Sequence, residues 1–385
     1  MIQSPGFLMK ERKNEIMLTI KTPDHYINEA GSLKKAGEHI GRLGQNALII
    51  GGKTALAVAG QELTASLEKA GISSQTFVFQ GNCTVENIRK YSALAQELRA
   101  DILIGVGGGK VLDSVKAIAE DAGIPLVAVP TIAATCAAWS ALTVLYDEEG
   151  KFAEYRFLKT SPRLVLTDLG IIAQAPVRYL NAGIGDTIAK WYETAPHTAE
   201  GQSDISLTIG VKIAEQALDL LRKYYAQAQR DVEARVPSNE LSWVVDAIIV
   251  LAGLIGSISQ GTRRPALAHT LYNHFTLLKE THQSLHGEIV AFGLVVQLIL
   301  QDKPSQEIDH FIRFLQTLEL PVTLGQLGIA GELAEKAALV ADHINFTETS
   351  LDKLNFPVNR DLLMKAIIKA DETGRKSLRQ EIRAV

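Results

Sequence analysis

A chain of 385 residues exceeds the length at which a single hydrophobic core keeps growing, so two domains are expected. Hydrophobic residues at 46% and charged residues at 21% are ordinary for a globular protein, and a net charge of -4 excludes the basic footprint of nucleic-acid binding. With two cysteines, Cys83 and Cys136, neither a disulfide framework nor a cysteine-based zinc knuckle is possible, which fits a reducing cytoplasmic setting.

Residues 1–16 carry Glu11 and Glu15 and lack the apolar core of a signal peptide; they read as a disordered leader, with Met17 as an alternative start. Strands are then expected at 47–51 (ALIIG), 76–79, 101–106 (DILIGV), 125–129 (PLVAV) and 163–167 (RLVLT). Helices are expected at 55–70, 85–99 and 111–122, and a β-hairpin over 140–158 around the turn DEEG. Continuous apolar strands alternating with helices imply a parallel sheet covered on both faces. Beyond Pro176 the strand signal stops and the chain reads as successive helices to its end. This divides it into an α/β domain, 1–175, and an all-helical domain, 176–385. The apolar stretches 247–258 and 289–300 fall short of the roughly 20 residues of a membrane span, and read as buried core helices.

DILIGV runs into Gly107-Gly108-Gly109-Lys110, directly before a helix. Uncovered amides at a helix N-terminus can cradle a pyrophosphate, though the same glycines also suit a tight turn with no ligand. The pattern is neither GxGxxG nor a Walker A loop. A second small-residue loop, Thr131-Ile132-Ala133-Ala134, follows PLVAV, and two such loops at the carboxyl edge of one parallel sheet favour a ligand there.

The segments GVGGGKVLDSVKAIA, VPTIAATCAAWSALTVLY and APVRYLNAGIGDTIAKWYE resemble, in order, those of the iron-containing alcohol dehydrogenases, specifically the glycerol dehydrogenase branch and within it the hydroxycarboxylate dehydrogenases. The similarity runs from about residue 46 to about residue 300. It implies a dehydroquinate synthase-like fold, a Rossmann-like dinucleotide domain followed by an all-helical metal-binding domain. It also implies dinucleotide contacts at Gly109, Lys110, Val111, Leu112 and Asp113 and at Thr131 to Ala134, with Ser140, Leu142 and Tyr146 beside the nicotinamide. Asp113 reads equally as a first-turn acid favoured by the helix dipole.

Asp186, His269 and His286 are a carboxylate and two imidazoles, a set suited to Zn²⁺ or Fe²⁺ with a position left open for a substrate oxygen. Either His alone could as readily be a hydrogen-bonded core residue; the resemblance is what implies metal ligation, with Zn²⁺ favoured and Fe²⁺ the alternative. His282 is the substitute ligand. Where the family has a second His, three residues after the first, this chain has Tyr272, so Tyr272 or His274 would have to serve any proton relay.

NAD-specific proteins place a carboxylate after the first strand of the nucleotide fold. Gly52 and Lys53 stand there instead, which favours NADP(H) over NAD(H). Glycerol dehydrogenases carry an Asp where this chain has Cys136, and a thiol binds a second hydroxyl poorly. Arg264, upstream of His269, could pair with a substrate carboxylate. These features together point to a small 2-oxo or 2-hydroxy acid, or a related aldehyde or alcohol. The alternatives are a glycerol or diol dehydrogenase, a dehydroquinate-synthase-like lyase and an inactive cofactor-binding homologue. Metal–imidazole bonds need neutral His, so metal binding should weaken in acid. A homo-oligomer is expected, with no nucleic acid or membrane partner.

Overall fold

The computed structural model describes residues 19–196, 205–258 and 266–384; the expected leader and Arg264 lie outside the described residues. The α/β part runs β1 (His25–Glu29), α1 (Ala36–Ile40), β2 (Asn46–Gly51), α2 (Lys53–Lys69), β3 (Ser73–Val78), α3 (Val85–Glu97), β4 (Ile102–Gly107), α4 (Gly109–Ala122), β5 (Leu126–Pro130), β6 (Leu142–Tyr146), β7 (Phe152–Phe157), β8 (Leu164–Asp168) and α5 (Leu169–Ile172). The helical part follows as α6 (Val177–Thr194), α7 (Ile205–Glu233), α8 (Asn239–Asp246), α9 (Ala252–Ile258), α10 (Leu267–Phe275), α11 (His286–Leu300), α12 (Ser305–Thr317), α13 (Leu333–Asp342) and α14 (Arg360–Ala384).

Six parallel strands form one sheet in the order β1-β8-β5-β4-β2-β3. The interior strands β4, β5 and β8 are buried along their whole length, as apolar strands covered on both faces must be. β1, His-Tyr-Ile-Asn-Glu, was not anticipated. It is an edge strand of mixed polarity, paired only with β8, so it carries no apolar run to betray it. The expected hairpin is present as β6 and β7, antiparallel, with a bulge at Leu145/Tyr146.

α4 starts at Gly109 rather than Val111, so Gly109 and Lys110 belong to its first turn and Gly108 is an extended N-cap with no side-chain cap bond. That leaves the first-turn amides pointing off the sheet edge. α8 and α9 join through a π-helical segment, Ala247–Leu251, into one 20-residue helix containing an 18-residue window of mean hydropathy 2.2. The sequence reading made this stretch shorter than a membrane span; the helix reaches that length, but 61% of that window is buried inside the molecule, as a core helix is.

α6 is the wall between the two parts. A Cβ on Gly183 would lie 2.1 Å from the carbonyl oxygen of Ala133, in the loop after β5, and a Cβ on Gly287 would lie 1.8 Å from the carbonyl oxygen of Ala182. Gly183 lies well inside α6, which begins at Val177, and Gly287 lies in the first turn of α11; their missing side chains let the α6 backbone touch the sheet loop on one side and the head of α11 on the other.

Candidate active site

At the carboxyl edge of the sheet, Gly52 N–H donates to Val106 O at 3.1 Å and Thr131 N–H donates to Gly107 O at 3.2 Å, so the ends of β2, β4 and β5 lie side by side. From β2 the chain goes outward to β3 and then crosses back to β4, which makes this edge the topological switch point where nucleotides bind doubly wound sheets. The loop after β5 covers the glycines: a Cβ on Gly108 would meet Ile132 Cδ1 at 2.7 Å. The structure thus gathers Gly52, Lys53, Gly107, Gly108, Gly109, Lys110, Thr131, Ile132, Ala133 and Ala134 at one edge. Lys53 and Lys110 are exposed there. The side chains of Val111 and Leu112 are buried in the core and leave only backbone to a ligand.

The Asp113 side chain is held by neighbours within the protein. Its carboxylate sits 2.9 Å from Lys116 Nζ and accepts from Val144 N–H at 3.4 Å. Lys116 also donates to the hydroxyl and carbonyl of Ser140 at 3.2 Å each and to the Leu142 carbonyl. Burial pushes the Asp113 carboxyl up, against the pull of Lys116. Asp113, Ser140 and Leu142 are therefore held together as the anchor that ties the hairpin to α4. The side chain of Asp113 is committed within the protein.

Across α6 lies the second cluster. His269 Nε2 is 3.1 Å and His286 Nε2 is 3.4 Å from Asp186 Oδ1, and ligand atoms of the three residues all fall within 4.8 Å of one another. A tetrahedral ion with bonds of about 2.0–2.1 Å holds its donors roughly 3.3 Å apart, which the two Asp186 distances bracket. A carboxylate and two imidazoles are also the right chemistry for such an ion, so the residues fit a divalent metal. α6 supplies Asp186, α10 supplies His269, and His286 is the first residue of α11. Burial works against an ionised Asp186, but Lys190, His286 and His269 more than offset it and hold its carboxyl well below the usual range. Burial, only partly opposed by Asp186, keeps His286 below its ordinary value.

Two residues of this cluster were missed from the sequence. Glu193 accepts the backbone N–H of His269 at 3.1 Å and its Nδ1–H at 2.7 Å. That fixes the tautomer that leaves Nε2 free for a metal. Burial disfavours charge on His269, yet Glu193 and Asp186 outweigh it and raise the imidazole above its ordinary value. Lys190 reaches Asp186 Oδ1 and His269 Nε2, each at 2.8 Å. Asp186, Lys190 and Glu193 are spaced i, i+4, i+7, one stripe of a helix, and that periodicity was the signal available. Glu193→Ala is expected to weaken metal affinity about 10–100-fold, as loss of a ligand's orienting carboxylate does; titration against a chromophoric chelator reads it.

The other expected residues divide. Tyr272 packs edge-on against His286, ring centroids 4.1 Å apart, and its hydroxyl bonds that of Tyr146 at 2.9 Å, joining hairpin to helical part. Burial pushes its phenol up to about 12, so it is no base at neutral pH. His274 lies elsewhere: its Nδ1 donates to Thr270 O at 2.8 Å, and it neighbours His343. His282 is exposed and bonds Thr276 O at 3.0 Å, so it is not a substitute ligand. Cys136 sits between the two clusters; burial pushes its thiol up, and Lys190, Asp186, Lys116 and Asp113 are its charged neighbours.

Comparison with known proteins agrees with this geometry. The iron-containing alcohol dehydrogenase family profile matches residues 23–169. The chain is 34% identical over 360 residues to the glycolaldehyde reductase of Halobacterium salinarum, covering 92% of this chain and 98% of that one. It is 34% identical over 366 residues to the glycerol dehydrogenase of Pseudomonas putida, covering 93% and 98%. It is 34% identical over 359 residues to hydroxycarboxylate dehydrogenase A of Escherichia coli K12, covering 91% and 96%. The crystal structure of a probable glycerol dehydrogenase from Sinorhizobium meliloti superposes with a TM-score of 0.84 at 29% identity, over 93% of this chain and 99% of that one. The chain belongs to the iron-containing alcohol dehydrogenase family and is an oxidoreductase of its glycerol dehydrogenase-like group.

Proposed function

We propose that the chain transfers hydride between a nicotinamide dinucleotide and a small alcohol or aldehyde bearing a second hydroxyl, in the manner of a glycerol or diol dehydrogenase. The observation that carries the reading is the convergence of Asp186, His269 and His286 within 4.8 Å, across α6 from the dinucleotide edge of the sheet. Relatives described as glycerol dehydrogenases and a glycolaldehyde reductase support such a substrate better than the 2-oxo acid anticipated from Cys136 and Arg264.

A divalent ion held by Asp186, His269 and His286 supplies, when bound, Lewis-acid polarisation of the substrate oxygen and stabilisation of the charge that develops on it. The chain's own residues do the positioning. Glu193 orients His269, and Tyr272 buttresses His286. Lys116 locks the hairpin beside the nicotinamide position, and the first-turn amides of α4 receive the pyrophosphate. The hydride chemistry itself belongs to the cofactor.

Turnover of glycerol, 1,2-diols, dihydroxyacetone, glycolaldehyde, pyruvate and glyoxylate with each coenzyme, together with metal analysis of the purified enzyme, tests the reading. Turnover confined to 2-oxo acids would overturn the diol assignment in favour of the second reading. One observation supports that second reading: beside Asp186 stand a thiol, Cys136, and an ammonium, Lys190. Neither accepts a hydrogen bond from a substrate hydroxyl as a carboxylate does, and an ammonium suits a substrate carboxylate.

The family implies a nicotinamide dinucleotide and a divalent metal. For the coenzyme, Gly52 caps α2 with no carboxylate and Lys53 is exposed beside it, which supports NADP(H). Gly52→Asp is expected to shift the ratio of kcat/KM values toward NAD(H) by at least about tenfold, through repulsion of the 2′-phosphate. A wild-type enzyme that already prefers NAD(H) sinks the assignment. For the metal, the donor set supports Zn²⁺, with Fe²⁺ the alternative. The cysteine usage supports a cytoplasmic setting.

A further inference from the structure

The Lys190 side chain, only 17% exposed, runs from α6 into the ligand triangle. Its Nζ is 2.8 Å from Asp186 Oδ1 and 2.8 Å from His269 Nε2, atoms that are themselves 3.1 Å apart. An ion bonded to both atoms at about 2.0–2.1 Å would stand no further than about 3.7 Å from that nitrogen, on whichever side of the Asp186–His269 line it lay. An ammonium and a dication so close, in a site shielded from solvent, repel each other strongly. The local anions do not relieve this. Asp186 would have to serve both cations, and both oxygens of Glu193 are already engaged by His269.

We propose that Lys190 is a tethered cation that shares the Asp186–His269–His286 site with the divalent metal, so that loading displaces the ammonium from between Asp186 and His269. The inference rests on the assignment of these three residues as metal ligands. Lys190 neutralises Asp186 and donates to the His269 Nε2 lone pair, the two atoms an ion would take. On loading it swings away, with Cys136 the neighbouring group besides Asp186 and Glu193. The chain therefore holds a metal less tightly than the same ligand set without the lysine. When metal is scarce it keeps a positive charge at the triangle.

The test is metal affinity, read without substrate or coenzyme. Full-length protein is stripped with a chelator and titrated with Zn²⁺ against a chromophoric competitor, with stoichiometry by elemental analysis. Lys190→Met, or Lys190→Gln if the methionine variant does not fold, is expected to bind Zn²⁺ at least about tenfold more tightly than wild type. Lys190→Arg keeps the charge and is expected to stay weak. Stoichiometric binding to wild type and Lys190→Met at affinities within about twofold overturns the inference and leaves the ligand assignment standing. Tightening in Lys190→Arg equal to that in Lys190→Met also overturns it, because space rather than charge would then be the cause. If neither the wild type nor the neutral variants bind Zn²⁺ while Asp186 is intact, the ligand assignment fails and takes the inference with it. Asp186→Asn should abolish binding in both backgrounds.

Discussion

Asp186→Asn is expected to lower kcat/KM by at least roughly 10³-fold and to abolish stoichiometric metal binding, since several kcal/mol of charge stabilisation vanish with the ion. The substitution barely changes shape, so the effect is electrostatic. Asp186 is buried, and the same oxygen atom meets His269, His286 and Lys190. An amide cannot replace an anion there, and Lys190 is left as an uncompensated buried charge. A fall in thermal stability should therefore accompany the loss of activity. Circular dichroism separates a folded, inactive enzyme from an unfolded one. If the folded variant retains one metal per chain and turns over within about tenfold of wild type, the catalytic assignment of this cluster is wrong.

Gly287→Ala is expected to destabilise the protein by about 3 kcal/mol or more, because overpacking here falls on backbone. The added methyl would sit 1.8 Å from the Ala182 carbonyl oxygen, and no rotamer change can relieve a clash between a Cβ and a main-chain atom. α6 and α11 must separate, which also pulls Asp186 away from His286. Gly256→Ala is the control. Its Cβ would meet nothing within 4 Å, and it lies inside α9. Replacing a helical glycine in open space is expected to stabilise by up to about 1 kcal/mol. Urea unfolding of the two variants reads the contrast, and equal effects would mean that the close approach of α6 and α11 is misjudged.

What the sequence revealed, and what it hid, follows from the physics of each element. β2, β4, β5 and β8 were legible because a strand buried on both faces must be apolar throughout. β1 was hidden because an edge strand need not be. The glycine loop was legible as a strand-to-helix turn, but whether Asp113 faced a ligand or its own protein depended on Lys116, a contact no spacing rule announces. Asp186, His269 and His286 were recognised by resemblance, since 83 residues separate the first two and nothing local marks their meeting. Lys190 and Glu193 lay on the same helical stripe as Asp186 and could have been found by extending that reading two turns. His274 was misjudged for the complementary reason: five residues beyond His269 on α10, it faces away from the stripe that bears His269, Tyr272 and Asn273.

The double contact of α6 bears on how such an enzyme could change its diet. The contacts of α6 with the loop after β5 and with the head of α11 are made by main-chain atoms of Ala133, Gly183, Ala182 and Gly287. Cys136 and Lys190 take no part in that stack. Exchanges at Cys136 can therefore change which polyols, aldehydes or acids are admitted while the seat of α6 between the sheet and α11 stays as it is. The converse also holds: a change within the stack should impair every substrate alike.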